Sequence, residues 1–177
     1  MSRDSADSQA GGRIGRAGSA KPTKAELVEQ LGNEFRINQN RSQVFDDIAA
    51  EHLGINQTDH RCLDIVQRLG GATAGELARE AGLTTGGVTA VVDRLERIGY
   101  ARRTRDERDR RRVLIEVTPE FHERAWRIWE PLANAWQRQS RHLTRDQLEL
   151  LLRFLREGDA ILDEQIERLR ALRDGSE

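Results

Sequence analysis

The chain has 177 residues, a formal net charge of −1, 33 % charged and 37 % hydrophobic residues, and few aromatics, which suits one or two small helix-leaning domains with much surface per unit of core. No apolar run approaches the length of a membrane span, no secretory-type apolar segment opens the chain, and Cys62 is the single cysteine, so no intrachain disulfide can form. These features predict a cytoplasmic protein without a membrane partner.

Residues 1–22 are small, polar and rich in Gly and Ser. They cannot bury enough apolar surface to offset their ordering entropy, and a disordered tail is expected. Thr23-Lys24-Ala25-Glu26 is a capping box that opens a helix, with Leu27, Leu31, Phe35, Val44, Ile48 and Ala49 at near-helical spacing and an end near Leu53-Gly54. A second helix starts around Asn56–Thr58, turns Leu63, Val66 and Leu69 to the core, and stops at Gly70-Gly71. A second capping box, Thr73-Ala74-Gly75-Glu76, opens a short helix to about Ala81 with Gly82 as its cap. Leu83-Thr84 leads into a helix from Thr85 to about Ile98.

Two strand-like runs follow, Gly99–Arg103 and Arg112–Val117. Thr118-Pro119 then starts a helix to about Ser140, and a third capping box, Thr144 to Gln147, opens the last one. There Leu148, Leu152, Leu155, Leu162, Ile166 and Leu169 form a coiled-coil-like seam interrupted near Gly158-Asp159. The expected organisation is a tail (1–22), an N-terminal dimerisation helix (23–55), a winged helix-turn-helix DNA-binding domain (56–117) and C-terminal dimerisation helices (118–177). The fold class is mainly α with a small β-wing. An ordinary intrachain helical bundle would also use the terminal apolar stripes, but a homodimer is preferred because symmetric dimers suit palindromic DNA.

Residues 73–98 fit a helix-turn-helix in which Leu77, Ala78, Ala81 and Leu83 pack against Val88, Val91, Val92 and Leu95. That burial leaves Thr85, Gly86, Thr89, Ala90, Asp93 and Arg94 on the opposite face. Thr hydroxyls can bond base edges, and the Ala90 and Thr methyls can touch thymine methyls. Arg94 is better placed for a phosphate. Gly86-Gly87 reads equally as close approach to DNA or as close packing at the turn. The stretch 101–118 concentrates arginine, with Arg103, Arg105, Arg108, Arg110, Arg111 and Arg112 as candidate DNA contacts and Arg111 at the tip over a minor groove. Asp109 reads as an intramolecular partner of a neighbouring Arg that fixes the loop. The candidate DNA-binding set is therefore Thr84, Thr85, Gly86, Gly87, Thr89, Ala90, Arg94, Arg103, Arg105, Arg108, Asp109, Arg110, Arg111 and Arg112.

The segment from about Asn56 to Pro119 resembles the MarR family of winged helix-turn-helix transcriptional regulators. The resemblance is carried by TAGELAREAGL (73–83), VTAVVDRLERIGY (88–100) and DRRRVLIEVTP (109–119), with Asp109 and Arg111 matching the family's wing motif. It implies a homodimer whose two lobes straddle a pseudo-palindromic operator in double-stranded DNA. Regulation is usually repression, released when a small phenolic or other lipophilic ligand binds between lobe and dimer region. Val113 stands where the motif often has Lys or Arg, leaving that contact to Arg110 or Arg112. The competing reading is an architectural DNA-binding protein with little sequence choice, motivated by the poor base-reading inventory of Gly86, Gly87 and Ala90.

Neither an enzyme nor a metal site is expected. Nothing resembles a nucleophile elbow, a phosphate loop or paired catalytic carboxylates, and His52, His60, His122 and His142 lack metal-site spacing. No cofactor is expected; the only small molecule implied is an effector of unidentified structure. Cys62 reads as a buried hydrophobe rather than a redox sensor, and His60 as a pocket candidate. Trp126, Trp129 and Trp136 read as core or dimer interface, with ligand stacking as the alternative.

Overall fold

A computed structural model describes residues 21–106, 109–173 and 175. Of the tail expected over residues 1–22, residues 1–20 lie outside the described residues, as does Arg108 of the wing. The chain divides into two compact units, Met1–Asp47 and Ile48–Glu177. The elements in order are α1 (Lys24–Leu53), α2 (Gln57–Leu69), α3 (Ala74–Ala81), α4 (Thr85–Arg97), β1 (Ala101–Arg105), β2 (Val113–Val117), α5 (Pro119–Ser140) and α6 (Arg145–Arg173).

The first unit holds most of α1. Its capping box forms as the spacing requires: the Thr23 N–H donates to Glu26 Oε2 at 2.6 Å, and the Glu26 N–H donates to Thr23 Oγ1 at 3.3 Å. Leu27, Leu31 and Phe35 stand on the surface of the single chain.

The second unit is built on a core of α2, α3, α4 and the sheet. Leu63 and Leu77 are fully buried, as are Val88, Val92 and Leu95 to within 1 %, and Tyr100, Ile115 and Phe121 close the cluster. The expected interlock of α3 with α4 is present, with Ala78 and Leu83 half-buried against it. One expected core residue differs. Leu69 is 43 % exposed, while Cys62 and Ile65 are buried. The helix ends at Leu69, and the chain turns away through Gly70 in the left-handed conformation.

The turn after α2 does more than stop a helix. Gly71, at φ +117°, lets the chain swing so that Ala72 pairs with Ile115 from the far edge of β2. The Ala72 N–H donates to the Ile115 carbonyl at 3.0 Å, and the Ile115 N–H returns the bond at 2.7 Å. The antiparallel pair β1–β2 therefore has a one-residue third strand, joining Arg103 opposite Ile115 to the end of α2. The first strand begins at Ala101 rather than Gly99, because Gly99 (φ +80°) and Tyr100 form the exit from α4.

Thr118 links the sheet to α5. Its N–H donates to the Tyr100 carbonyl at 3.0 Å, its hydroxyl donates to the Gly99 carbonyl at 2.6 Å, and Oγ1 accepts the Phe121 N–H at 3.2 Å. Phe121 and Ala125 are buried, and Ile128 and Trp129 pack on the core one turn later. Trp126 and Trp136 are more than half exposed, so the three tryptophans do not form one buried stripe. The final helix, α6, runs unbroken through Gly158-Asp159. A single interior glycine costs only about 1 kcal/mol, too little to break a helix of this length.

Tyr100 joins three elements. Its hydroxyl donates to the Leu53 carbonyl at the end of α1 (3.0 Å) and accepts from Arg124 Nη1 of α5 (3.1 Å). Tyr100→Phe removes both bonds within a site that is 2 % exposed. It is expected to cost about 1–3 kcal/mol, read as a lower midpoint in urea unfolding.

Candidate nucleic-acid interface

The exposed side of α4 is set by what its other side buries. Val88, Val91, Val92 and Leu95 point inward, which leaves Thr85, Gly86, Thr89, Ala90, Asp93 and Arg97 outward. Thr84 is the N-cap, with Oγ1 accepting the Gly87 N–H at 3.1 Å. Thr89 donates its hydroxyl to the Thr85 carbonyl at 3.1 Å, which uses its proton and leaves the oxygen able to accept.

The two glycines have different explanations. A Cβ on Gly87 would lie 3.3 Å from Thr84 Oγ1 and 3.7 Å from Leu83 Cβ, so its absence makes room for the cap. A Cβ on Gly86 would meet nothing within 4 Å. Packing explains Gly87; no contact among the described residues explains Gly86.

The wing arginines divide into two groups. Arg102 binds Glu116 across the strand pair at 3.1 and 2.9 Å. Arg103 donates its backbone N–H to Glu96 Oε1 at 2.8 Å, and its guanidinium binds Glu96 and Asp93, the latter at 2.8 Å. Arg112 reaches Glu76 Oε1 at 3.1 Å. The other oxygen of Glu76 accepts the Thr73 N–H at 2.8 Å, so one carboxylate both caps α3 and holds the wing. The backbone and hydroxyl bonds from Thr73, and to a smaller extent the Arg112 charge, lower the pKa of that carboxyl from its ordinary value. By contrast Arg105, Arg110 and Arg111 have no carboxylate partner among the described residues and point into solvent.

The turn between the strands is fixed by its own backbone. Asp106 N–H donates to the Arg112 carbonyl at 3.1 Å, and Arg112 N–H to the Asp109 carbonyl at 2.8 Å. Asp109 does fix the loop, but through its carboxylate oxygen accepting the Arg111 N–H at 3.0 Å; among the described residues it has no arginine partner. Aspartate is suited to this because its short side chain reaches the backbone two residues on. The carboxylate therefore orients the tip residue Arg111 directly.

Arg94, read from sequence as a phosphate contact, has a carboxylate partner inside the protein. Its Nε and Nη2 bind the two oxygens of Asp59 at 2.8 and 2.5 Å, joining α4 to the first turn of α2. Sequence reading missed Asp59 and the bracing carboxylates Glu76, Asp93 and Glu96 as members of the site. The signal was weak: acidic residues at Asp93 and Glu96, three apart near the end of α4, next to an arginine-rich strand. His60 stacks on Trp129 with ring centroids 5.3 Å apart and planes 9° from parallel. No cluster of metal-binding side chains occurs among the described residues, and no described helix is long and apolar enough to cross a membrane.

The sequence model of the MarR family matches residues 55–113. The uncharacterized HTH-type transcriptional regulator YcgE of Bacillus subtilis is 37 % identical over 152 residues, covering 86 % of this chain and 99 % of its own. The chain belongs to the MarR family. A solved structure of a MarR family protein from Bacillus stearothermophilus shares the fold at 20 % identity with a TM-score of 0.58, covering 80 % of this chain and 99 % of its own. The transcriptional regulator BldR of Sulfolobus solfataricus matches at 26 % identity and a TM-score of 0.50, covering 81 % of this chain and 99 % of its own.

Two measurements test the site as a folded object. Gly86→Ala is expected to leave stability unchanged or raise it by up to about 1 kcal/mol. Gly87→Ala is expected to lower it by about 0.5–2 kcal/mol by displacing the cap. Thermal unfolding of the two variants reads this contrast directly. Cys62 is fully buried, and burial, then the Asp59 charge, pushes its thiol up to about 11 from 9.0. An unfolded thiol ionises near its ordinary value while the folded one stays protonated, so this group removes stability as pH rises past that value. Alkylation of the native thiol by iodoacetamide should stay slow at pH values where the urea-unfolded chain reacts readily.

Proposed function

We propose that this MarR-family protein is a DNA-binding transcriptional regulator that occupies a pseudo-palindromic operator as a homodimer and represses by covering a promoter. The observation that carries the reading is that Arg105, Arg110 and Arg111 have no carboxylate partner among the described residues, while Arg102, Arg103 and Arg112 brace the wing itself. In a chain of net charge −1 such a group marks a local site for a polyanion. The α4 face presents Thr85, Thr89 and Ala90 to base edges and thymine methyls in the major groove, with Thr84, Gly86 and Gly87 at its start. Arg111 enters the neighbouring minor groove, Arg105 and Arg110 flank it on phosphates, and Arg94 reaches a phosphate beside the helix. Arg103, Arg112 and Asp109 serve by holding the wing in place.

Dimerisation is supported by apolar surface that a single chain leaves in water. On α6, Leu148, Leu152, Leu155, Leu162, Ile166 and Leu169 are all 37–57 % exposed, and α1 and α5 carry further exposed apolar residues. A second chain covers such faces and sets two lobes about one DNA turn apart, ~34 Å. A small-molecule effector relieves repression only by favouring a lobe spacing that cannot match both half-sites.

The test is selection of genomic fragments by the purified protein at near-physiological salt, followed by footprinting. A short inverted repeat supports the operator reading; equal, salt-sensitive recovery of every fragment overturns it in favour of an architectural protein. On the selected duplex, Arg111→Ala should weaken binding markedly and lower the salt slope by about one. Leu162→Asp should shift the protein from dimer to monomer in sedimentation; an intact dimer moves the interface elsewhere.

A further inference from the structure

Asp59 is the one charged side chain that is buried among the described residues, at 1 % exposure. A lone buried carboxylate is costly, so its placement calls for a compensating partner and a reason to be there. The partner is Arg94, bound through the Nε–Nη2 edge of its guanidinium at 2.8 and 2.5 Å. The two residues are 35 apart in sequence and belong to different helices, so the pair fixes α4 against α2 as well as neutralising the charge.

The geometry leaves half of the fork unused. A guanidinium has five N–H donors in one plane, and Asp59 takes the inner edge. The Arg94 side chain is 40 % exposed against 2 % for Asp59, and with Nε and Nη2 taken by Asp59 its Nη1 donors are left for a ligand beside the proposed DNA-facing strip of α4. No other acceptor for Arg94 occurs among the described residues. An unrestrained arginine loses rotamer entropy when it meets a ligand; this one has already lost it on folding.

We propose that Asp59 is a positioning residue for DNA binding: it holds Arg94 as a preset clamp whose outer edge takes a backbone phosphate of double-stranded DNA. This rests on the DNA-binding reading above and adds to it a residue that never touches DNA. Asp59 sets both the direction of the Arg94 guanidinium and the seat of α4 on α2. Because a phosphate contact carries no base information, the effect is the same on every B-form sequence.

The discriminating variants are Asp59→Asn and Arg94→Lys, measured by fluorescence anisotropy on a long mixed-sequence duplex over a range of salt, with thermal unfolding alongside. Lysine keeps the charge and the ion pair with Asp59, but it is a point charge without a second edge. Arg94→Lys should therefore stay folded yet bind the duplex about tenfold more weakly, with a salt slope lower by about one. Asp59→Asn should show the same weakening and the same loss of slope, since the Arg94 fork is freed from its fixed direction. Arg94→Lys with wild-type affinity and slope overturns the proposal and leaves the pair a purely structural strut. A folded Asp59→Asn with wild-type affinity and slope overturns it equally. Should Asp59→Asn not fold, Arg94→Lys alone decides. Failure of the broader reading looks different: the wild-type protein itself then binds no duplex, or Arg111→Ala leaves binding unchanged.

Discussion

The contact on which the lobe depends is the joint between Arg103 and the two carboxylates of α4, Asp93 and Glu96. A two-stranded ribbon is marginal in water by itself, and this one protrudes from a helical body. Arg103 anchors the base of β1 through its backbone N–H as well as its guanidinium. Arg112 anchors the start of β2 to the capping carboxylate of α3, and Ala72 closes the far edge of the sheet. Helix-turn-helix and wing thus form one body with three attachments. Each exposed ion pair contributes little alone, typically below about 1 kcal/mol. Their value lies in fixing direction, because together they decide where the uncommitted arginines point.

This arrangement reconciles an acidic-to-neutral chain with an arginine-dense hairpin. Among the described residues, carboxylates pair with Arg102, Arg103 and Arg112, near the body, and none pairs with Arg105, Arg110 or Arg111. Asp109 is placed in the same way: its carboxylate is occupied by the Arg111 backbone N–H. Charge sign is not what orders this surface; the division into bracing and presenting residues is.

Much of this was legible in the sequence, and for definable reasons. All three capping boxes form, because a Thr three residues before Glu or Gln satisfies backbone donors locally and needs no tertiary context. The interlock of α3 and α4 followed from helical periodicity, and the resemblance over about 56–119 agrees with the family match over 55–113. What stayed hidden depends on contacts distant in sequence. Leu69 obeys the periodicity of α2 but sits where the helix runs out of core. The bond between Ala72 and Ile115 spans most of the lobe. Asp59 lies in the first turn of α2, where a helix start by itself accounts for an aspartate without any partner. Gly86 and Gly87 were indistinguishable by sequence because only three-dimensional neighbours separate room for a cap from open space.

The sealed position of Cys62 has a practical reach beyond its chemistry. With no second sulfhydryl anywhere in the chain, the exterior is a blank field for thiol-directed probes. A cysteine engineered at an exposed site such as Arg97 or Arg110 would carry a dye or spin label selectively, without first removing the native one. Label pairs placed this way, one on each subunit of an assembly, turn the distance between two lobes into an optical or magnetic readout in solution.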